Sequence, residues 1–310
     1  MRRVAAAAVA ALALLLPGSH AAAWGFTAHK FITDRAIDLL PADIRPFFDK
    51  FRVTVVEHAI DPDTYRTVGW TAETPRHFLN MDGWGPFPFT AIPHDYTEAV
   101  ARRGEDFVLK NGTLPWRADE MYHRLVENFR QADTAPYARD NIKLFSSVLA
   151  HYVEDAYQPL HANLNYDGQL TGQNGIHARF ETELFERYSG RLHVTAAPLA
   201  PIVNVREFMF ATLTDSYQLT APILAADRAA IAGRDEYDDR YFEAFLSRTQ
   251  PILERRLGQA IAGVASAITA AWTEAGRPAV SPDPPHWPPR KVKGGRGIPH
   301  SAFFIVRAPR

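Results

Sequence analysis

An all-α fold is predicted by three observations: apolar residues recur at helical spacing along most of the chain, Pro and Gly punctuate the runs, and alternating strand patterns are scarce. With 310 residues, 46% of them hydrophobic, the chain has ample material for a buried core. The expected organisation is a leader over residues 1–23, a single mainly helical domain over 24–280, and a Pro-rich basic tail over 281–310.

In chain order, Arg2 and Arg3 form a basic start, Val4 to Leu16 an apolar stretch too short for a permanent span, and Ala21-Ala22-Ala23 an A-x-A cleavage signal. This reads as a signal peptide, so the mature protein is expected to be exported, periplasmic or secreted, and to begin at Trp24. Phe31, Ile32, Ala36, Leu39 and Leu40 share a helical face that Pro41 terminates. Met81 to Pro93 places Trp84, Phe87 and Phe89 among Gly and Pro. It reads either as a loop rimming a cleft or as one pinned by its own aromatics. Met121, Leu125, Val126 and Phe129 repeat the helical period after Pro115, as do Leu144, Val148, Leu149, Tyr152 and Val153. Leu192 to Thr195 is the best strand candidate, and Ile252 to Trp272 a long closing helix. Beyond Pro278 the Pro density argues against a packed helix. The basic residues there, Arg290, Lys291, Lys293 and Arg296, could touch anionic headgroups in a peripheral membrane contact. Ala302 to Val306 is an apolar end expected to dock on the body.

A formal net charge of −1 is no footprint for a polyphosphate partner. Cysteine is absent, so every metal ligand must be N or O. Candidate ligands follow from spacing. A chain beginning at Trp24 offers an amine and a carbonyl that together chelate a cation, and His29 follows a helical turn later. His151 with Asp155, and His177 with Glu181, are four apart and so share a helix face, roughly 5–6 Å apart at Cβ. His161 stands between the two pairs. Together these residues describe a polynuclear zinc site. His58, His94, His123 and His193 are expected to be surface or locally bonded rings, and Glu154, about 100° around the helix from Asp155, a supporting or solvent residue.

The segments W-G-F-T-A-H, P-D-T-Y-R, T-P-R-H-F, H-Y-V-E-D-A-Y-Q-P-L-H and N-G-I-H-A-R-F-E, in that order, resemble the zinc-dependent phospholipase C and single-strand-specific zinc nuclease superfamily. The resemblance covers most of residues 24–278, with His151 to His161 its most specific element. It implies a mainly helical domain with three zinc ions in a cleft, hydrolysing phosphodiesters. It also implies one zinc at Asp63, His77, His151 and Asp155, and a second at His161, His177 and Glu181. The third would lie at the Trp24 amine and carbonyl, His29 and the other oxygen of a bridging Asp155. Asp61 competes with Asp63 in A-I-D-P-D-T-Y-R; Asp63 is preferred because D-x-x-R then runs from Asp63 to Arg66. In the expected mechanism Asp63 orients or deprotonates the attacking water, and Arg66 either clamps a phosphate oxygen or only buttresses Asp63.

For substrate, the branches of the superfamily pull apart. Glu181 after His177 is similar to the phospholipase branch, whereas the five-residue step from Trp24 to His29 is similar to the nucleases. Thr27 and Thr64 stand where choline-selective phospholipases carry an acidic and an aromatic residue. The expectation is a phospholipase C-like enzyme acting on a phospholipid head group. The alternatives are a single-strand nuclease or 3′-nucleotidase, with Trp70, Trp84 or Phe87 as a base platform, and a secreted zinc-binding protein without turnover.

Overall fold

The computed structural model describes residues 24–283; the leader and its cleavage site, the basic run and the apolar end lie outside the described residues. The architecture is mainly helical, with no strand among the described residues. No helix there is long and apolar enough to cross a membrane.

Helix α1 (Phe26–Ile37) begins at Gly25 and buries a stripe of Ala28, His29, Ile32, Thr33, Ala36 and Ile37. Its start is fixed by close approach. A Cβ on Gly25 would lie 2.7 Å from Thr182 Oγ1, so only glycine lets the segment lie against the helix over residues 176–188. Three short helices follow, α2 (Arg45–Lys50), α3 (Arg52–Glu57) and α4 (Asp61–Thr67), then a tight helical turn at Thr71–His77. Next come α5 (Tyr96–Arg103), capped by Asp95, and α6 (Glu105–Asn111). In α7 (Leu114–Arg130), Pro115 occupies the first turn, where its missing N–H costs nothing.

The organising element is α8 (Ala138–Tyr157). From Ser146 onward every residue is buried, so this helix is enclosed on all sides rather than amphipathic. It packs against α7, α1 and the two long helices that close the chain, α10 (Val205–Ile231) and α11 (Asp239–Glu274), with α9 (176–188) lying between α8 and α10 in sequence. Asn204 caps α10 by accepting from Glu207 N at 3.1 Å, and Asp238 caps α11 by accepting from Tyr241 N at 2.8 Å. Along the buried face of α11, Gly258, Ala260 to Val264, Ala265 and Ala267 keep the helix slim. A Cβ on Gly263 would meet the Tyr157 ring at 2.5 Å, so glycine there sets the distance between α11 and α8.

Three expectations change. Leu192 to Thr195 is not a strand: it lies along α11, with His193 N donating to Glu254 Oε1 at 2.8 Å and Ala197 N to Gly258 O at 2.9 Å. Without a neighbouring strand, this partly exposed segment is tied to the helix at those two points instead of to a ladder. The closing helix starts at Asp239 rather than Ile252: Asp238 caps it there, and Pro251 sits inside it. The body also extends past 280. Arg139 donates to the carbonyls of Ser281, Pro282 and Asp283, and Lys50 pairs with Asp283 at 2.8 Å. The aromatic loop is pinned by its own side chains. Trp84 is buried edge-on to Phe107, Phe89 is buried edge-on to Tyr217, and only Phe87 faces outward.

Candidate metal centre

A helix buried on all sides should carry no ionisable groups without partners, yet the second half of α8 holds His151, Glu154 and Asp155, each fully buried. What they meet defines the site. The turn at Thr71–His77 brings His77 to α8, α4 brings Asp63, α1 brings His29, the turn Pro159–Ala162 brings His161, and α9 brings His177 and Glu181.

These side chains form three groups whose ligand-type atoms lie within 4.8 Å of one another: His29, His151 and Asp155; Asp63, His77 and His151; and His161, His177 and Glu181. Asp155 stands where the first two groups meet. Its Oδ2 is 3.0 Å from His77 Nδ1 and 3.3 Å from His151 Nε2, while its Oδ1 is 3.6 Å from His29 Nε2. Asp63 Oδ1 is 3.7 Å from His77 Nδ1 and takes a 2.5 Å hydrogen bond from Arg66 Nη2. Glu181 Oε2 is 3.0 Å from His177 Nε2 and 3.8 Å from His161 Nε2. The helix turns more widely over Arg179–Glu183, an insertion of the kind found at functional sites, and Thr182 of this stretch is the residue packed on Gly25.

Imidazole partners decide which nitrogens carry lone pairs. His151 Nδ1 faces the carbonyl of Ala59 at 2.8 Å, His161 Nδ1 that of His77 at 2.6 Å, and His177 Nδ1 that of Tyr166 at 3.0 Å. A carbonyl only accepts, so each Nδ1 carries the proton and each neutral ring turns an Nε2 lone pair inward. His161 Nε2 and His177 Nε2 then face one another at 3.1 Å. Two lone pairs at that separation repel unless a cation lies between or beside them. His77 is mounted the other way, with Nδ1 toward Asp155 and 3.0 Å from His151 Nε2.

Side-chain atoms without hydrogen-bond partners concentrate here. His29 Nε2, Asp63 Oδ2, His77 Nε2, Asp155 Oδ1 and Glu181 Oε1 are buried and unpaired. Burial pushes the Asp63 carboxyl up to about 6 and raises Asp155 and Glu181 as well. It lowers His29, His77, His151 and His161. At His177 burial also lowers the pKa, but Glu181 beside it outweighs this and the net shift is upward. Apart from His177, these groups are thus favoured in their neutral forms by the protein alone; a divalent cation is what would hold such carboxylates ionised while using the imidazole lone pairs. These donors, all N and O and buried, fit such ions.

Several supports were not legible as motifs. Gln158 donates to Glu181 Oε2 at 2.6 Å and accepts from Leu160 N at 2.6 Å, so the segment between His151 and His161 braces the second pair. Glu73 is buried between Arg76 and the hydroxyl of Tyr152, pinning the turn that ends in His77. Arg179 donates to the carbonyls of Gln173 and Asn174 and to Asp227, holding the loop before His177. Each support includes one partner far away in sequence, Glu181, Tyr152 or Asp227, which no local pattern reveals. A cavity of about 920 Å³ between the Thr71–Arg76 stretch, α7 and Arg206 includes none of the candidate ligands. The cluster itself is closed by side chains on most sides.

The remaining sequence candidates sort as follows. Asp61 is turned away, accepting from His58 at 2.8 Å, so Asp63 is the aspartate brought to the cluster. The Trp24 indole is fully buried and its Nε1–H donates to the carbonyl of Glu154 at 2.8 Å. This places the residue beside α8, while liberation of its amine depends on residues outside the described range. Glu154 is not a solvent residue; it is fully buried against His29. His94 stacks on Phe210 and pairs with Glu207, His123 lies beside Asp119, and His193 stays clear of the cluster.

No protein-family model and no curated protein matches this chain.

Proposed function

We propose that this protein is a zinc-dependent phosphodiester hydrolase of the phospholipase C-like type, holding three ions. One observation carries the reading: the side chains His29, Asp63, His77, His151, Asp155, His161, His177 and Glu181, which the resemblance names as ligands, converge in three buried groups, and five of them carry a buried N or O atom with no hydrogen-bond partner. Trp24, held beside them by Glu154, is the ninth residue of that set. Bound zinc ions would acidify a water and neutralise phosphoryl oxygens.

This chain's own residues supply the rest. Asp63 has Oδ1 fixed by Arg66 and Oδ2 unpaired, so one oxygen is anchored while the other can orient the attacking water or take its proton. Arg66 keeps a buried, unpaired Nε–H and a partly exposed head, which suits it to clamp a phosphate oxygen. His161 and His177 retain slight exposure while His29, His151, Asp155 and Glu181 have none. Substrate would therefore approach past His161, His177 and Arg66.

A nuclease reading has one observation in its favour. Trp70 is 61% exposed beside Tyr65, just after the helix that carries Asp63 and Arg66, and could stack a base. Trp84, being buried, cannot serve that purpose. The test sets phospholipid vesicles against single-stranded DNA, each with and without chelator. Chelator-sensitive cleavage of lipid is expected. Cleavage of DNA alone, lost on Trp70→Ala, would favour the nuclease, and inertness towards both would leave a zinc-binding protein without turnover. Export belongs to the same reading, and mass analysis of the mature protein should give a chain beginning at Trp24.

A further inference from the structure

Glu154 stands next to Asp155 on α8, but it points towards a different part of the molecule. Three of its atoms are engaged, all with residues 24–33. Its Oε2 meets His29 Nδ1, its Oε1 accepts from Thr33 Oγ1 at 2.7 Å, and its carbonyl accepts the Trp24 indole N–H at 2.8 Å. The residue is fully buried, and among the described residues its ion-pair partner is the ring of His29, with no Lys or Arg. A buried carboxylate without a cationic side chain is costly, so its presence at this position calls for a role.

The contrast with the other imidazoles supplies that role. His151, His161 and His177 give their Nδ1 protons to main-chain carbonyls, which are set by the fold. His29 gives its proton to a side chain. The ring of His29 lies flat on that of His151, with centroids 4.1 Å apart and planes inclined by 17°, and its free Nε2 is 3.6 Å from Asp155 Oδ1. Glu154 thus fixes the edge of a ring whose face is fixed by stacking.

We infer that Glu154 is a positioning residue dedicated to the N-terminal ion, joining Trp24 and His29 to α8 and presenting His29 Nε2 to Asp155. A carboxylate behind a ligating imidazole holds its tautomer and strengthens it as a donor. The other two groups have no such dependence. Loss of Glu154 should therefore remove one ion selectively and leave two.

This inference rests on the metal reading above, and the experiment separates the two. Mature protein beginning at Trp24 is equilibrated with zinc alone, desalted, and its zinc content measured, followed by titration with a competing chelator. Wild type is expected to hold three ions. Glu154→Leu should hold two, with affinities within about twofold of their wild-type values. Glu154→Gln keeps the shape without the charge; it should retain three ions with only the weakest site loosened, by roughly 10- to 100-fold. Thr33→Val, which frees Oε1, should loosen the same site by a smaller factor. Circular dichroism checks folding, and if Glu154→Leu does not fold the Gln and Val variants still decide. Three ions at wild-type affinity in the variants, or parallel weakening of all sites, would overturn this role while sparing the metal reading. Wild type without zinc would overturn both.

Discussion

Helices α8 and α11 are both long and both run through the interior, yet they bury opposite kinds of residue. The inner half of α8 encloses His151, Glu154 and Asp155, whereas the inner face of α11 is mainly apolar, from Phe242 and Phe245 through Leu253 and Leu257 to its Ala- and Gly-rich second half, with Arg256 as its fully buried charge. The charge on α11 is fully answered: Arg256 donates to the Tyr157 and Thr212 carbonyls, to Ser216 and to Gln259. On α8 the answer is incomplete, since Asp155 Oδ1 has no partner. One helix is built for stability and the other holds unsatisfied groups that only a ligand would relieve, the pattern expected where function competes with folding.

The largest test of that contrast is metal removal. Exhaustive chelation should abolish phosphodiester cleavage and lower the unfolding temperature by roughly 10 °C or more, as expected when several tightly bound ions are lost. Scanning calorimetry with and without zinc is the check, and an unchanged transition would mean that α8 is satisfied without ions.

Next in size is Asp63→Asn, which should reduce turnover by about a hundredfold or more, whereas Asp61→Asn should change it by less than about threefold. Steady-state kinetics of the pair measures this. Equal losses would mean that the His58–Asp61 pair takes part in the chemistry.

Overpacking probes the other helix. Gly263→Leu would drive a side chain into the Tyr157 ring and should destabilise the fold by about 1–3 kcal/mol or more, with zinc stoichiometry unchanged if the variant folds. Urea unfolding alongside zinc analysis separates the two effects.

The smallest effect is the sharpest. Asp155→Asn should abolish binding at the groups it bridges, yet make the metal-free protein about 1 kcal/mol more stable than metal-free wild type, because it removes a carboxyl whose ionisation burial opposes. Chemical denaturation in chelator reads this directly. A metal-free variant less stable than its parent would show that Asp155 is chiefly a structural residue.

The same division separates what could be read from residues in order. Sequence by itself determined the helical class, the one-turn pairs His151 with Asp155 and His177 with Glu181, and the absence of thiol ligands, because helical period and side-chain chemistry are local properties. It misjudged Leu192 to Thr195, which is tied to α11, and the start of α11, which Asp238 caps. Tertiary structure alone decided that His77 presents Nδ1 and that Glu154 clasps the N-terminal segment. Each of these depends on carbonyls and side chains tens of residues away, brought together only when α8 is enclosed. A linear pattern records which donors exist, and packing selects which of their lone pairs point at one another.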